Sequence, residues 1–385
     1  MIDAHVTKII NYINEWCNRQ TNSYTEQEMD EILNASFSIN NYLYQIPTIN
    51  SLLAQSSNAL QYVINLIPLW KQSISNRETD YADELFYKIY DYLQYADAQT
   101  IYQNAVSKFM SYPEDYRNEF SSLPNRYTFL KGTIDYKKQD FSLIRIYTDM
   151  VKQQLDHMAW FFNRLCDNRS KIILTRIINY WFDYNYNDLG DLHENVFTDY
   201  YDLDLYTCDE NEVVVDCGAY IGDSTLEYIK TYGKYKSIYA YEMIEESYKQ
   251  LQENLSSFEN IHMRQCGVGK NSCTMYIDEQ LDSGMGAKLS DSGKTEVKVV
   301  SLDEDIKEKI TLIKMDIEGA EYDALLGAKN HIITEKPKLL ICTYHNPEDM
   351  FTIPRLIDSM RNDYQFYLRY NGYGIWPCDY VLFAL

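Results

Sequence analysis

Two hydrophobic periods divide this chain. Through the first ~150 residues apolar side chains return every three or four positions, the spacing of one helix face, and clear strand alternation is missing. Ala82, Leu85, Phe86, Ile89 and Leu93 form one such stripe, and Thr25-x-x-Glu28 reads as a capping box that opens a helix. Pro47, Pro68, Pro113 and Pro124 break the region into short helices. Another helix is predicted over 170–182, followed by a loop-rich passage that ends near Asp209. Beyond it the pattern changes: short apolar, often β-branched runs at 213–216, 237–242, 260–266, 311–316 and 338–344 alternate with amphipathic stretches. Strands separated by helices predict a mostly parallel, doubly wound sheet covered on both faces. Segments 273–278 and 295–302 read as a hairpin-like insertion around a Ser/Gly-rich loop. Segments 364–370 and 379–385 read as an antiparallel edge. The expected organisation is an all-helical domain over 1–150, a helical connector over 151–209 and an α/β domain over 210–385.

Composition narrows the class of protein. No run approaches the ~20 uninterrupted apolar residues of a membrane helix, so no membrane span is expected. The N-terminus lacks the basic head, apolar core and cleavage site of an export signal, and a cytoplasmic location is expected. Eight cysteines without a CxxC pair suit reduced thiols rather than a disulfide framework or a zinc site. With 35 Lys+Arg against 57 Asp+Glu the net charge is -22, and with no basic patch in sight no nucleic-acid partner is expected. The 37 tyrosines are spread evenly, which reads as a compositional bias. His5 and the carboxylates of the helical half sit in ordinary amphipathic contexts, so that half offers no chemistry of its own beyond a lid, a partner surface or a homodimer contact.

In open α/β sheets ligands bind beyond the carboxyl ends of the strands. The first strand ends in Asp216, Cys217, Gly218, Ala219, Tyr220, Ile221, Gly222, Asp223 and Ser224. Gly218 allows a tight turn, Gly222 allows close approach where the next helix begins, and Asp223 and Ser224 are candidates to cap that helix. The spacing Asp-x-Gly-x-x-x-Gly differs from the Gly-x-Gly-x-x-Gly that seats a dinucleotide pyrophosphate, which disfavours a nicotinamide oxidoreductase. Asp216 suits a cationic ligand without phosphate. Glu242, followed by Met243 at the end of the second strand, is placed to accept hydrogen bonds from two ribose hydroxyls. Cys266 and Gly267 after the third strand lie where an adenine would rest.

At these residues the sequence resembles the FkbM-type methyltransferase family. The resemblance covers roughly 211–385 and rests on VVVDCGAYIGDST, YAYE, VVSLDE, TLIKMDIEGAEYDALLGAK, ICTYHNPEDMFTIPRLI and FYLRY together. It implies a class I methyltransferase fold with S-adenosylmethionine as cofactor. It also implies methyl transfer to a hydroxyl oxygen of a sugar, glycan, polyketide or similar small molecule. Met243 stands where the family often has proline.

Asp316 ends the fourth strand on the same sheet edge as the glycine loop, with Glu318 and Glu321 just beyond it. Methyl transfer to oxygen needs a hydroxyl held in line and relieved of its proton, and Asp316, Glu318 and His345 are the candidate acid–base groups. Lys314 shares a strand face with Asp316 and is expected to hold it or a substrate anion. Glu321 also suits the first turn of a helix. The spacing of Asp316, Glu318 and His345 is not diagnostic of a metal site, and no metal is expected. Tyr220, Tyr344, Arg369 and the loop 283–290 are candidates for the acceptor wall. The alternative reading is a noncatalytic module that binds the cofactor while its helical half recruits a partner.

Overall fold

The structure, a computed structural model, describes residues 82–385 except 186, 191, 193–199, 203–204, 278–288, 291–292 and 373. The Thr25–Glu28 box, His5, Pro47, Pro68 and most of the 283–290 loop lie outside the described residues. Residues 82–95 are helical, and Ala82, Phe86, Ile89 and Leu93 turn inward as their spacing predicts. Phe86 stacks on Phe162 with ring centroids 3.8 Å apart. Helices Ala98–Met110, Glu114–Phe120, Ser142–Gln153, Leu155–Arg164 and Asn168–Asp183 follow. The first of these is capped by Asp97, whose carboxylate accepts the Thr100 amide, and the last by Asp167, which accepts the Ser170 amide.

Among the described residues ten strands follow: β1 Val213–Cys217, β2 Ser237–Tyr241, β3 Ile261–Arg264, β4 Gly267–Val268, β5 Cys273–Ile277, β6 Thr295–Val300, β7 Leu312–Met315, β8 Lys338–Cys342, β9 Phe366–Tyr370 and β10 Tyr380–Ala384. Seven of them form one sheet in the order β3-β2-β1-β7-β8-β10-β9. The first five run parallel, and β1, β7 and the inner part of β8 are buried on both faces, which explains why they are apolar apart from the Asp216–Lys314 pair. β10 inserts between β8 and β9 and runs against both, making the antiparallel edge. The insertion forms a separate three-stranded sheet, β4-β6-β5.

The helices before β1 share the sheet's core. One buried cluster runs from Phe86 to Ala384, and the helix Ser142–Gln153 passes through position 150, where a domain boundary was expected. Arg369 on β9 ties the two parts together: its guanidinium reaches Asp202 at 2.8 Å and Asp167 at 2.8 Å, all within the buried interface. That arginine was expected at the acceptor wall, and its ion pairs commit it to the seam between helices and sheet instead. No helix among the described residues is long and apolar enough to cross a membrane.

Candidate active site

The sheet order reverses between β1 and β7, and their neighbouring carboxyl ends open a crevice there. A cavity of about 460 Å³ occupies it. One wall is the loop after β1. Gly218 (φ +76), Tyr220 (φ +46) and Gly222 (φ +90) take left-handed conformations in quick succession, so the chain doubles back before the helix Asp223–Tyr232. The amides of Gly218 and Ala219 both donate to the Tyr241 carbonyl, at 3.0 and 2.9 Å, fastening the loop to the end of β2.

Glu242 follows β2 and is 8% exposed. Its two oxygens accept the backbone amides of Tyr220 (3.0 Å) and Ile244 (2.7 Å), which aims the carboxylate across the mouth of the cavity. Burial pushes its pKa up to about 7, against the pull of those amides. Met243, Cys266 and Gly267 line the cavity as well, with Met243 Sδ beside Gly267.

Asp216 departs from its expected place. It is 1% exposed, lies behind the wall, and accepts the hydroxyls of Ser224 (2.6 Å) and Thr225 (2.7 Å) while pairing with Lys314 at 3.0 Å. Lys314 also donates to the Gly218 carbonyl at 2.8 Å, so it braces the glycine loop rather than holding Asp316 or a substrate anion. Burial works against its charge, but Asp216 and Asp316 outweigh that and keep the ammonium well above its usual pKa. Ala219 turns into a small apolar cluster with Ala240, Leu251 and Leu255, and a side chain at Gly222 would meet the same leucines. Neither lines the cavity. The helix start is Gly222 itself, with no side-chain cap; Ser224 spends its hydroxyl on Asp216, while Asp223 and Ser224 both border the cavity.

The far end of the cavity is acidic and phenolic. Asp316 follows β7 and accepts the Tyr200 hydroxyl at 2.7 Å and the Tyr344 hydroxyl at 3.3 Å. Burial would raise its pKa; His345, Lys314 and the Tyr200 hydrogen bond hold it below the usual carboxylate value instead. Glu318 (φ +59) and Gly319 (φ +101) bend the next loop, which the Asn346 side chain anchors through the Gly319 carbonyl at 3.2 Å. Glu318 lines the cavity, and His345, 1% exposed, sits directly behind it and Asp316. Asp316, Glu321 and His345 bring potential ligand atoms within 4.8 Å of one another. Glu321 faces Nδ1 of the ring and Asp316 faces Nε2, an arrangement of ion pairs around a ring rather than of donors around an ion.

Several lining residues escaped sequence reasoning. Asp379 (φ +54) opens β10, and burial raises its pKa. Because β10 runs against the parallel strands, its amino end meets the ligand edge, and a search of strand carboxyl ends passes over it. Tyr200 comes from the irregular passage before β1, where no periodic signal marks it. Cys342 at the end of β8 was open to the strand-end rule.

This switch-point cavity, on this strand order, is the architecture of a class I methyltransferase. Residues 216–373 match the methyltransferase FkbM domain. Among solved structures, the methyltransferase FkbM from Methylobacillus flagellatus KT is similar at 26% identity and a TM-score of 0.55. That match covers 66% of this chain and 64% of that one, under two thirds of its length. An rRNA methylase from Streptococcus thermophilus matches at 18% identity and a TM-score of 0.32, over 46% of this chain and 87% of that one. The Streptococcus mutans protein SMU.1697c, solved in complex with SAH, matches at 14% and 0.30, over 46% and 90%. Likeness at this level speaks to fold alone, and it lends no support to the expected exclusion of nucleic acid. None of the curated proteins matches the chain.

Proposed function

We propose that this chain is an S-adenosylmethionine-dependent methyltransferase acting on a hydroxyl oxygen of an uncharged, hydroxyl-rich small molecule such as a sugar or glycan. The observation that carries the reading is one cavity with two unlike ends: a strand-end carboxylate, Glu242, held by two backbone amides, and an acidic, phenolic end around Asp316. The first end fits the cofactor. Glu242 has lone pairs left for the ribose diol, and the wall formed by Met243, Cys266 and Gly267 suits an adenine face. Bound there, S-adenosylmethionine supplies a methyl group on a positively charged sulfur.

The acceptor belongs at the other end. Asp316 orients a hydroxyl by accepting its hydrogen bond, with Tyr200 and Tyr344 fixing the carboxylate. A low carboxylate pKa is no obstacle, because the proton becomes strongly acidic as the new C–O bond forms, and Asp316 takes it then. Among the described residues that line the cavity, Lys314 is the one cation, and it is spent on Asp216 and the Gly218 carbonyl. A phosphate or carboxylate on the acceptor would face Asp316, Glu318 and Asp379 with no unpaired cation in the lining to meet it. Methyl-labelled S-adenosylmethionine incubated with a panel of neutral sugars, aminosugars and uronic acids tests this. Label is expected in neutral acceptors, and Asp316→Asn is expected to lower kcat by at least about tenfold while leaving cofactor affinity within about threefold. Equal turnover of Asp316→Asn and wild type would remove Asp316 from the chemistry.

A further inference from the structure

His345 does not line the cavity, yet three carboxylates lie within 4 Å of its ring nitrogens. Glu321 Oε1 lies 2.9 Å from Nδ1, Asp316 Oδ1 lies 3.4 Å from Nε2 and Glu318 Oε2 lies 3.7 Å from Nε2. A neutral imidazole has one N–H and one lone pair, so it can satisfy acceptors on one side alone. Nδ1 forms no aligned hydrogen bond with Glu321, so what the carboxylates on both sides favour is the charge of the doubly protonated ring, by attraction at ion-pair distance. The remaining neighbours leave that charge in place. Asp349, on the helix Asp349–Met360, has its pKa raised to about 7 by burial and by Glu321, and it accepts the Asn346 side chain at 2.9 Å. Asp379 on β10 contributes a further carboxyl. Tyr344 packs beside the ring at 4.1 Å between centroids, and Phe129 meets it edge-on at 5.7 Å. Lys131 reaches the Asn346 amide from the surface, and Lys314 lies on the far side of Asp316, paired to Asp216.

Glu321 is the odd member. It is fully buried at the first position of the helix Glu321–Gly327; Oε1 accepts the Ile317 amide at 2.9 Å, and Oε2 has no hydrogen-bond partner. A buried oxygen left unsatisfied is costly, and a glutamine or an apolar residue would avoid a buried charge. What the carboxylate supplies, and neither alternative does, is a negative charge against Nδ1.

We propose that Glu321 is a positioning residue that fixes His345 as a permanent cation, and that this cation keeps Asp316 ionised at the acceptor end of the cavity. The chain is a buried carboxylate, a buried imidazolium and a working carboxylate in series. Without the cation, Lys314 and the Tyr200 hydrogen bond are left to oppose burial, which shifts Asp316 towards the protonated form that donates to an acceptor hydroxyl instead of receiving its proton. In the transfer itself the hydroxyl oxygen forms a bond to the methyl carbon, the carbon–sulfur pair stays on sulfur and the proton passes to Asp316; His345 and Glu321 exchange nothing. The purpose rests on the methyltransferase reading, while the charge state of His345 does not.

Histidine-selective ¹⁵N NMR on the full chain reads this directly, with His345→Gln assigning its signal among the six histidines. In the wild type both His345 nitrogens are expected to be protonated at neutral pH, with a titration midpoint near 9, where Glu321, Asp316 and Glu318 together outweigh the effect of burial. Glu321→Gln should lower that midpoint by at least about one unit and Glu321→Asp should recover most of it, with S-adenosylhomocysteine affinity within about twofold of wild type. A neutral His345 at pH 7 in the wild type overturns the proposal whether or not the variants fold. So does an unmoved midpoint in Glu321→Gln, or a His345 signal displaced by added Mg²⁺ or Zn²⁺. Loss of S-adenosylhomocysteine binding in the wild type, with His345 still cationic, would instead sink the methyltransferase reading and spare the charge chain.

Discussion

Replacing Gly218 by alanine adds one methyl group at the most crowded point of the site. The new Cβ would fall inside the van der Waals envelope of the Asp316 carbonyl oxygen, 2.9 Å from its carbonyl carbon and 3.2 Å from Ile317 Cγ2. The Asp316 carbonyl is backbone just beyond β7 and cannot rotate away. The residue also sits at φ +76, which costs an L-residue roughly 1–2 kcal/mol. Overpacking adds about 1–3 kcal/mol. The sum, about 2–5 kcal/mol, is a large share of the 5–15 kcal/mol typical of a folded domain. The damage is local in kind as well as size. Gly218 receives Lys314 through its carbonyl and donates to Tyr241, so displacing it moves the loop from Glu242 on one side and Asp316 on the other. Urea unfolding should show a lower midpoint at unchanged slope, and calorimetry should show S-adenosylhomocysteine binding weakened by at least about tenfold. A variant with wild-type midpoint and wild-type affinity would refute the claim that β1 and β7 close on each other through this glycine.

Two further outcomes follow from the buried charges. Glu242, with a pKa near 7 in the free protein, must be ionised to accept two ribose hydroxyls, so cofactor affinity should fall about tenfold from pH 8 to pH 6 and the dependence should flatten in Glu242→Gln. Its raised pKa means that its share of folding stability is fullest below the ordinary carboxylate value and is lost as pH rises through about 7, opposite in sign to its effect on binding. Lys314→Met leaves Asp216 buried without its cation and should cost about 3–5 kcal/mol in urea unfolding, whereas Lys314→Met with Asp216→Leu should recover part of it. With Asp216→Leu measured alone to close the cycle, a double variant whose loss equals the sum of the two single losses would show that the pair is not coupled.

Much of the fold was legible because period and burial agree. The largely apolar, β-branched runs at β1, β7 and β8 read as central strands, whose loops meet at the reversal of order. Glu242 was legible for the same reason: a strand end is a fixed place, and one acid there has one direction to face. Asp216 misled because the final residues of a strand alternate in direction, and its side chain takes the inward one, towards Lys314. Arg369 misled because charge alone cannot distinguish a surface for substrate from a buried seam with Asp167 and Asp202. Asp379 and Tyr200 reach the cavity through a reversed strand and an irregular loop, whose placement depends on tertiary packing. Continuity of the core across position 150 has the same origin, since an amphipathic helix does not announce which apolar surface it will cover.

The central claim is that the switch-point cavity holds S-adenosylmethionine. Titration calorimetry of the intact chain with S-adenosylhomocysteine and with NAD, at about pH 8 where Glu242 is ionised, tests it most directly. The account predicts one-to-one binding of S-adenosylhomocysteine that Glu242→Ala weakens on the order of a hundredfold, from the loss of about 3 kcal/mol of charged hydrogen bonds, and no binding of NAD. Binding of NAD alone, or S-adenosylhomocysteine binding indifferent to Glu242, would contradict it.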